Sequence, residues 1–376
     1  MTFKRIALGD LCEFRYGNSL PERKRTFGSI PVYGSNGIVG YHSESVTQGE
    51  TIIVGRKGSI GEVHYSGGPC FPIDTTYYIS ETKRECNLRW LFYMLCSLRL
   101  TELNKSSAVP GLNRNDAYEK RLIFPPLPIQ KQIATILEKA DSAREKRRQA
   151  NQRTEQLLQS AFVEMFGDPV TNPKGWEKKP LVSLCDKESD LRCGPFGSQL
   201  KKQHYQSEGI PVWDIEDVKA QFKKAPRFFV SNKKAEELSN YYLQAADIVM
   251  TRRATIGLCA VYPALNGPGI MHSALLRIRT NQEVAHSSFL SHQLSTSKDV
   301  EHQISQFSSG AIFESINVSK LKAVRVILPP MREQLRFVDL IAKVESLRAK
   351  QKESERDLEN LFNGLMQRAF KGELVQ

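Results

Sequence analysis

The sequence lacks the motifs that define most enzyme classes. It contains no GxxxxGK[ST] phosphate loop, no HExxH helix motif and no Asp-Pro-Pro-Tyr-like tetrapeptide of the kind amino-methylating enzymes use. The glycines of GSNGIVG, at positions 34–40, do not have the spacing of a dinucleotide-binding loop, and the seven histidines are scattered. We therefore expect no catalytic centre and no cofactor in this chain.

Paired cysteines and long apolar runs are also missing. The seven cysteines are odd in number and form no CxxC pair, so we expect reduced core residues rather than a disulfide framework or a zinc site. No stretch approaches 18 uninterrupted apolar residues, and MTFKRIALGD has no apolar signal region. The expectation is a cytoplasmic chain without a membrane partner. The acidic trio Asp214, Glu216 and Asp217 is expected to be solvated loop charge rather than a metal site.

Composition and charge indicate a folded, basic protein. With 376 residues, 40% of them apolar and 25% charged, the chain is long enough for two or three domains with cores of their own. The formal net charge is +12 and the isoelectric point is near 9.3. Because neutralising phosphates drives nucleic-acid affinity, this excess favours a polyanionic partner.

An internal repeat predicts two long helices. Residues 125–169 begin with PPLPIQKQI, and residues 329–374 begin with PPMREQLRF and end in AFKGEL. Prolines precede each segment, and Gly167 and Gly372 follow the last turns, as at helix starts and stops. Apolar residues recur at steps of three and four, which predicts a coiled-coil seam. The predicted seam comprises Ile133, Ile136, Ala140, Leu157, Phe337, Leu340, Val344, Leu347, Leu361 and Leu365.

The segments before the helices repeat as well. IIVGRKGSIG at 52–61 matches IVMTRRATIG at 248–257, and IPV occurs at both 30–32 and 210–212. Short β-rich runs broken by Gly, Pro and Asn predict a mixed α+β domain with a mainly β core. The predicted organisation is a domain at 1–127, a helix at 128–167, a second domain at 168–328, and a second helix with the C-terminus at 329–376.

Polar loops in both domains carry groups that suit DNA. Arg and Lys pair with guanine, Asn and Gln with adenine, and hydroxyls favour phosphates. For any single loop a solvated turn is as good an interpretation, but adjacent cations follow matching strands in both copies. The predicted DNA-binding residues are Ser35, Asn36, Tyr41, His42, Arg56, Lys57 and Ser59 in the first domain, and Ser198, Gln199, Lys201, Lys202, Arg252, Arg253 and Thr255 in the second.

Taken together, these features resemble the specificity subunits of type I restriction–modification enzymes over the whole chain. The carrying motifs are the twofold repeat, PPLPIQKQI and PPMREQLRF at the helix starts, AFKGEL at the end of the second helix, and the loops IVGRKGSIG and GPFGSQLKK. The first copy departs from the family pattern, with Ile129 and Lys131 around Gln130 and with Phe-Gly-Asp at its helix end.

The resemblance implies a fold and a function. The fold is α+β, with two repeated mixed α/β target-recognition domains separated by two long antiparallel helices that form a coiled coil with pseudo-twofold symmetry. The chain would be a non-catalytic reader of double-stranded DNA, each domain reading one half of a bipartite asymmetric site while the helices set the spacer. Two methyltransferase subunits would dock on the helices, and two motor-nuclease subunits can join. S-adenosylmethionine, ATP and Mg would be used by those partners.

Two other classes of function remain open. A coiled-coil scaffold that binds only protein would show no sequence-dependent binding to duplex DNA. A self-contained nuclease or methyltransferase would need catalytic motifs, and their absence counts against it.

Overall fold

The structure is a computed structural model that describes residues 3–103, 111–253, 255–308 and 316–375. Its contacts divide the chain into two compact units. The first comprises Met1–Ala150 with Gln351–Gln376, and the second is Asn151–Lys350. Each unit therefore contains one mixed α/β domain together with one part of each long helix.

The first domain is a set of short strands with two helices. Its elements are β1 Lys4–Ala7, β2 Arg15–Tyr16, β3 Ile30–Gly34, β4 Gly37–His42, β5 Thr51–Gly55, β6 Val63–Ser66, β7 Phe71–Pro72, β8 Thr76–Ile79, α1 Leu88–Ser97, α2 Arg114–Tyr118 and β9 Arg121–Phe124. The first long helix, α3, follows at Leu127–Phe166.

Three sheets organise the first domain. One is antiparallel in the order β2-β8-β5-β6, the second has the order β4-β3-β7 with β3 and β7 parallel, and β1 pairs with β9. Strand β5 is buried along its whole length because it lies inside the first sheet with α1 packed on it. Ile52, Ile79 and Trp90 are fully buried in the resulting core.

The second domain contains more elements than the first. They are β10 Lys178–Pro180, β11 Leu191–Cys193, β12 Ile210–Trp213, α4 Ile215–Lys219, β13 Phe228–Val230, α5 Asn232–Glu237, β14 Tyr242–Leu243, β15 Ile248–Thr251, β16 Cys259–Val261, β17 Gly269–Met271, β18 Leu275–Ile278, α6 Ser287–Thr296, α7 Lys298–Ser308, α8 Val318–Ala323 and β19 Arg325–Ile327. The second long helix, α9, runs from Met331 to Lys371.

The sheets of the second domain repeat the order of the first. The strands β11-β18-β15-β16 correspond to β2-β8-β5-β6, and the pair β10-β19 corresponds to β1-β9. In the third sheet, β13-β12-β17 corresponds to β4-β3-β7, including the parallel pair, and β14 is added at its edge. The predicted duplication of a mixed α/β domain is confirmed at the level of strand order.

The two long helices run antiparallel within each unit. In the first unit Arg144 Nη2 lies 2.6 Å from Glu359 Oε2, and a surface cleft is lined by Thr135 and Ile136 together with Leu374 and Val375. In the second unit Arg348 Nη2 donates to the carbonyl of Glu155 at 3.5 Å, and the rings of Phe166 and Phe337 are 5.6 Å apart. Residues further along α3 contact residues nearer the start of α9, so the two helices run in opposite directions. The predicted fold class is confirmed.

The buried seam differs from the predicted one at three positions. Ile133, Phe337 and Val344 are buried, and Ile136, Ala140, Leu340 and Leu365 are half-buried. Leu157, Leu347 and Leu361 are 44%, 43% and 52% exposed, so placing them in the seam was wrong. Their neighbours Leu158 and Phe362 are buried instead.

Contacts with the domains explain this shift. At 3.6 residues per turn, moving one position along a helix rotates the side chain by about 100°. In the first unit the ring of Phe362 lies 6.1 Å from that of Tyr93 on α1. In the second unit the ring of Phe162 lies 5.9 Å from that of Phe289 on α6. These aromatic contacts turn the helices to bury Phe362 and Phe162, which leaves Leu361 and Leu157 towards the surface.

Matching buried glutamines attach each long helix to its domain. Gln130 Oε1 accepts from the backbone N–H of Asn87, and its Nε2 donates to the carbonyl of Pro125, both at 2.9 Å. Gln334 makes the same bonds with His286 and Pro329, also at 2.9 Å. Asn87 and His286 are the N-cap residues of α1 and α6. The repeated glutamine thus joins the first turn of each long helix to the start of a domain helix.

All seven cysteines lie in the described residues and none forms a disulfide. Burial raises the pKa of the Cys12 and Cys259 thiols to about 12, so both remain protonated core groups. Among the described helices, none combines the length and apolar character needed to span a bilayer.

Candidate nucleic-acid interface

In the first domain two of the predicted loops lie together. The turn at 34–37 joins β3 to β4, and the turn at 55–59 follows β5. A Cβ atom on Gly55 would lie 2.0 Å from the carbonyl oxygen of Ser59 and 3.1 Å from that of Ser35, so only glycine permits this approach. Ser35 and Ser59 are half-buried between the turns, whereas Asn36 is exposed.

Arg56 is half-buried and bonded to its own domain, while Lys57 is exposed. The backbone N–H groups of both residues donate to the carbonyl of Thr75. Arg56 Nε and Nη2 donate to the carbonyl of Asp74 at 3.2 and 2.7 Å. Its guanidinium also lies 5.2 Å from the ring centre of Tyr16. The pair predicted from the sequence therefore divides into a cation fixed by its neighbours and one that is open to a ligand.

A cluster of tyrosines and arginines surrounds Arg56. The rings of Tyr16 and Tyr77 are 5.1 Å apart, and the guanidinium of Arg114 lies 5.3 Å from the ring centre of Tyr16. Burial and a hydrogen bond with Tyr16 raise the pKa of Tyr77 to about 12. Sequence reasoning missed Tyr16, Tyr77 and Arg114, because their contribution depends on strand pairing and on the start of α2.

Tyr41 and His42 are neighbours on β4 but face different environments. Tyr41 is exposed, whereas His42 is buried with its ring 5.6 Å from that of Phe71. His42 Nδ1 lies 3.0 Å from the backbone nitrogen of Thr26. The structure therefore gives His42 a packing position, and Tyr41 remains a candidate for ligand contact.

The second domain contains the same turn after the corresponding strand. The backbone N–H of Ile316 donates to the carbonyl of Arg252 at 3.3 Å, as that of Leu112 donates to Arg56 at 2.9 Å. The backbone N–H of Gly257 donates to the carbonyl of Thr251 at 3.0 Å, and that of Gly61 donates to the carbonyl of Gly55 at 2.8 Å. Both hydrogen bonds close the turn.

The cations divide in the second turn as in the first. Arg252 is half-buried, like Arg56, and Arg253 and Thr255 are exposed. Each turn thus presents one half-buried and one exposed cation on the same backbone frame.

The glycine-rich segment of the second domain presents polar side chains. A Cβ on Gly194 would lie 2.1 Å from the carbonyl of His272, so glycine is required there. Gln199 Oε1 accepts from the backbone N–H of Phe196 and from the hydroxyl of Tyr241, both at 3.0 Å. Ser198, Lys201 and Lys202 are exposed and follow this anchored turn.

Asp214 and Asp217 of the acidic trio make capping hydrogen bonds and an ion pair within the domain. Asp214 caps α4 by accepting from the backbone N–H of Glu216 at 2.9 Å, and it pairs with Arg227 Nη2 at 2.6 Å. Asp217 accepts from the backbone N–H of Asp214 at 2.8 Å, and burial raises its pKa to about 6. Within the described part of the chain, no group of three or more His, Cys, Asp or Glu residues has a metal-binding arrangement.

Comparison with known proteins identifies the family. The model of the type I restriction modification DNA specificity domain matches residues 2–155 and again residues 173–359. The chain therefore belongs to the type I restriction–modification DNA specificity family and carries two of its DNA-recognition domains. The resemblance read from the sequence is confirmed.

Individual relatives agree with this assignment. A candidate type I restriction enzyme specificity subunit of Haemophilus influenzae is 22% identical over 86% of this chain and 82% of its own length. The EcoprrI specificity subunit of Escherichia coli is 32% identical over 37% of this chain and 36% of its own length.

Two solved structures share the fold. The S subunit of a type I restriction–modification system from M. genitalium superposes with a TM-score of 0.64, at 15% identity, over 98% of this chain and 96% of its own. A chain from a study of complex assembly in the type I R-M system superposes with a TM-score of 0.59, at 20% identity, over 99% of this chain and 98% of its own.

Proposed function

We propose that this chain is the non-catalytic, sequence-specific DNA-binding subunit of a type I restriction–modification complex. Each recognition domain reads one half of a bipartite, asymmetric site, and the two long helices set the spacer between the halves. The carrying observation is the repeated turn, in which both domains hold a half-buried and an exposed cation on the same hydrogen-bonded frame. Two similar cationic turns suit two half-sites of one duplex.

The proposed contacts follow from exposure. Exposed side chains bind DNA directly: Asn36, Tyr41, Lys57, Ser198, Lys201, Lys202, Arg253 and Thr255. Ser35, Ser59, Gln199, Arg56 and Arg252 shape the loops that present them, because they are half-buried or engaged by neighbours. His42 is left out of the interface because it is buried.

The helices are the proposed docking surface for two methyltransferase subunits. Leu157, Leu347 and Leu361 are exposed on them and offer apolar side chains to a protein partner. Methylation with S-adenosylmethionine, and Mg-dependent ATP hydrolysis with cleavage, belong to partner subunits in this proposal. Two motor-nuclease subunits complete the complex, which works on host DNA in the cytoplasm.

Mapping methylated adenine in host DNA tests the function. Cells that express the chain with its methyltransferase partner should carry methyl-adenine in one bipartite motif. Replacing residues 1–127 with the corresponding domain of a relative should change one half of that motif only. A change in both halves, or methylation without a motif, would contradict two separate readers.

The exposed cations offer a sharper test of the contacts. Lys57→Ala and Arg253→Ala should each lower the slope of log affinity against log salt by about one unit, because each removes one phosphate contact. The matched control is Lys4→Ala, an exposed lysine on β1 outside both turns. Equal salt slopes for all three variants would remove the turns from the interface.

A further inference from the structure

The segment before β3 presents an aromatic side chain to solvent. Phe27 has an exposure of 104%, so the domain covers none of its ring. Burying a phenylalanine side chain normally stabilises a fold, and this position gains no such stabilisation from folding. The whole ring is therefore accessible to a ligand.

The backbone around Phe27 is fixed on both sides. On one side, the Thr26 N–H lies 3.0 Å from His42 Nδ1, and the Thr26 hydroxyl lies 2.5 Å from that of Ser43. On the other side, a Cβ on Gly28 would lie 2.3 Å from the carbonyl of His42, which shows how closely the two segments pack. His42 is therefore a positioning residue, and the exposed ring is held on an ordered backbone.

The surroundings of Phe27 combine positive charge with apolar area. Arg23 and Lys24 are exposed in the preceding turn, and Arg25 Nη1 donates to the carbonyl of Val39 at 2.7 Å. That bond places the basic turn beside β4, where Ile38 and Tyr41 are exposed. Strand β4 is at the edge of its sheet, so nothing in the first domain pairs with its outer side among the described residues.

Duplex DNA fits this surface better than a protein partner does. Cations next to an apolar ring match phosphates that flank a base step, and proteins that insert apolar side chains between base pairs use this combination. Protein interfaces are enriched in arginine and aromatic residues but depleted in lysine, so Lys24 is the side chain that favours DNA over a protein partner. The matched position of the second domain, three residues before the IPV segment, holds Ser207, which has no ring to insert.

We propose that Phe27 is a DNA wedge of the first domain. Arg23 and Lys24 hold the phosphates on either side, Tyr41 contacts the adjacent groove, and the ring of Phe27 enters between two base pairs at or beside the first half-site. The energy of unstacking depends on the step, so Phe27 contributes specificity through DNA deformability. This inference rests on the proposed DNA-reading function.

The test uses the full chain with its methyltransferase partner and a duplex that carries the motif found by methyl-adenine mapping. The adenine analogue 2-aminopurine, placed in turn at each position in and beside the first half-site, reports unstacking by increased fluorescence. Apart from the adenine that the methyltransferase subunit flips out of the duplex, wild-type complex should increase the fluorescence at one step, and Phe27→Ala should abolish this second increase and weaken binding about tenfold. Phe27→Trp should retain the increase.

Two sets of variants separate the wedge from other effects. Leu265→Ala removes a second-domain side chain of 99% exposure and should leave binding and fluorescence unchanged. Phe27→Ala should keep the wild-type salt slope, because it removes no charge, whereas Arg23→Ala and Lys24→Ala should each lower the slope by about one unit.

Three results would overturn the wedge. Wild-type affinity and fluorescence in Phe27→Ala would show that the ring does not touch DNA. Loss of the methyltransferase subunit from Phe27→Ala without DNA would show that the ring is a protein contact. A wild-type complex that selects no motif would overturn the proposed function as well, which distinguishes the two failures.

Discussion

The two recognition domains share a backbone frame but differ in the side chains that occupy it. In the first domain, Tyr16 pairs across the strands with Tyr77 and supports Arg56. The matched positions of the second domain hold Cys193 and Leu276, which pair in the same register. Burial raises the pKa of the Cys193 thiol, which keeps this side chain neutral beside Arg252.

The central strands show a second difference. In the second domain Asp247, whose side chain is fully buried, forms a two-point ion pair with Arg279 at 2.7 and 2.8 Å. Thr51 and Ser80 occupy the matched positions of the first domain, without charge. Backbone hydrogen bonds thus keep the turns in place, and the side chains vary around them. Because the backbone hydrogen bonds hold the turns, the side chains of the two domains can differ without destabilising the fold.

The largest expected effect is a loss of stability when a buried seam residue of α9 is replaced, compared with an exposed residue of the same helix. Val344→Asp places a carboxylate where Val344 is 2% exposed beside Phe337 and Leu158, and an unpaired buried charge costs about 3–5 kcal/mol. We expect loss of hydrogen-exchange protection in α6 and α9 of the second unit. Leu347→Asp, three residues along the same helix and exposed, should cost less than about 0.5 kcal/mol. Equal losses in the two variants would refute the buried seam.

Acid should destabilise the second unit more than the first. Burial and the nearby Arg348 lower the pKa of His292 to about 4, and its ring contacts Phe162 and Phe337. The unfolded chain takes up the proton near pH 6.5, so the stabilisation present above that pH is lost as the pH falls towards 4, by about 2 kcal/mol at pH 5. The matched residue on α1, Tyr93, carries no charge in this range.

Hydrogen exchange of α1 and α6 peptides at pH 7 and pH 5, corrected for intrinsic exchange rates, measures this difference. His292→Phe should remove part of the acid sensitivity of α6. Burial lowers the pKa of His272 and His286 too, so some sensitivity should remain. Identical pH dependence in both units would contradict the assignment.

The smallest expected effect is the local loss of stability when the buried glutamine that occurs in both units is replaced. Gln130→Ala and Gln334→Ala each leave a buried backbone donor and a carbonyl without their partner, which costs about 2 kcal/mol. Gln334 also donates to the carbonyl of Val284 at 3.2 Å, so its loss should cost slightly more. Peptide-resolved exchange should show the first variant opening the start of α1 and the second the start of α6. A global loss in both variants would mean that the glutamines do not act locally.

The features that could be predicted from the sequence were those that repeat along the chain or recur at helical spacing. The duplication, the helix starts and the turns after β5 and β15 all follow from repeated local patterns. The three exposed leucines were misassigned because steps of three and four fit two neighbouring helix faces, and domain aromatics such as Tyr93 and Phe289 decide between them. The burial of His42 and the ring stack under Arg56 depend on pairing between distant strands, so no local pattern indicates them.

The composition of the first unit has a consequence for biosynthesis. Its core includes Phe362 and Ala369 beside Ile133 and Leu137, so side chains more than 200 residues apart must meet. The second unit is contiguous, from Asn151 to Lys350, and can complete its core while the first still waits for residues 351–376 to leave the ribosome. The domain that is translated first therefore receives the last residues of its core only after the second unit has been translated in full. A nonsense mutation near Gln351 would leave the later domain with all of its unit and deprive the earlier one of part of its core.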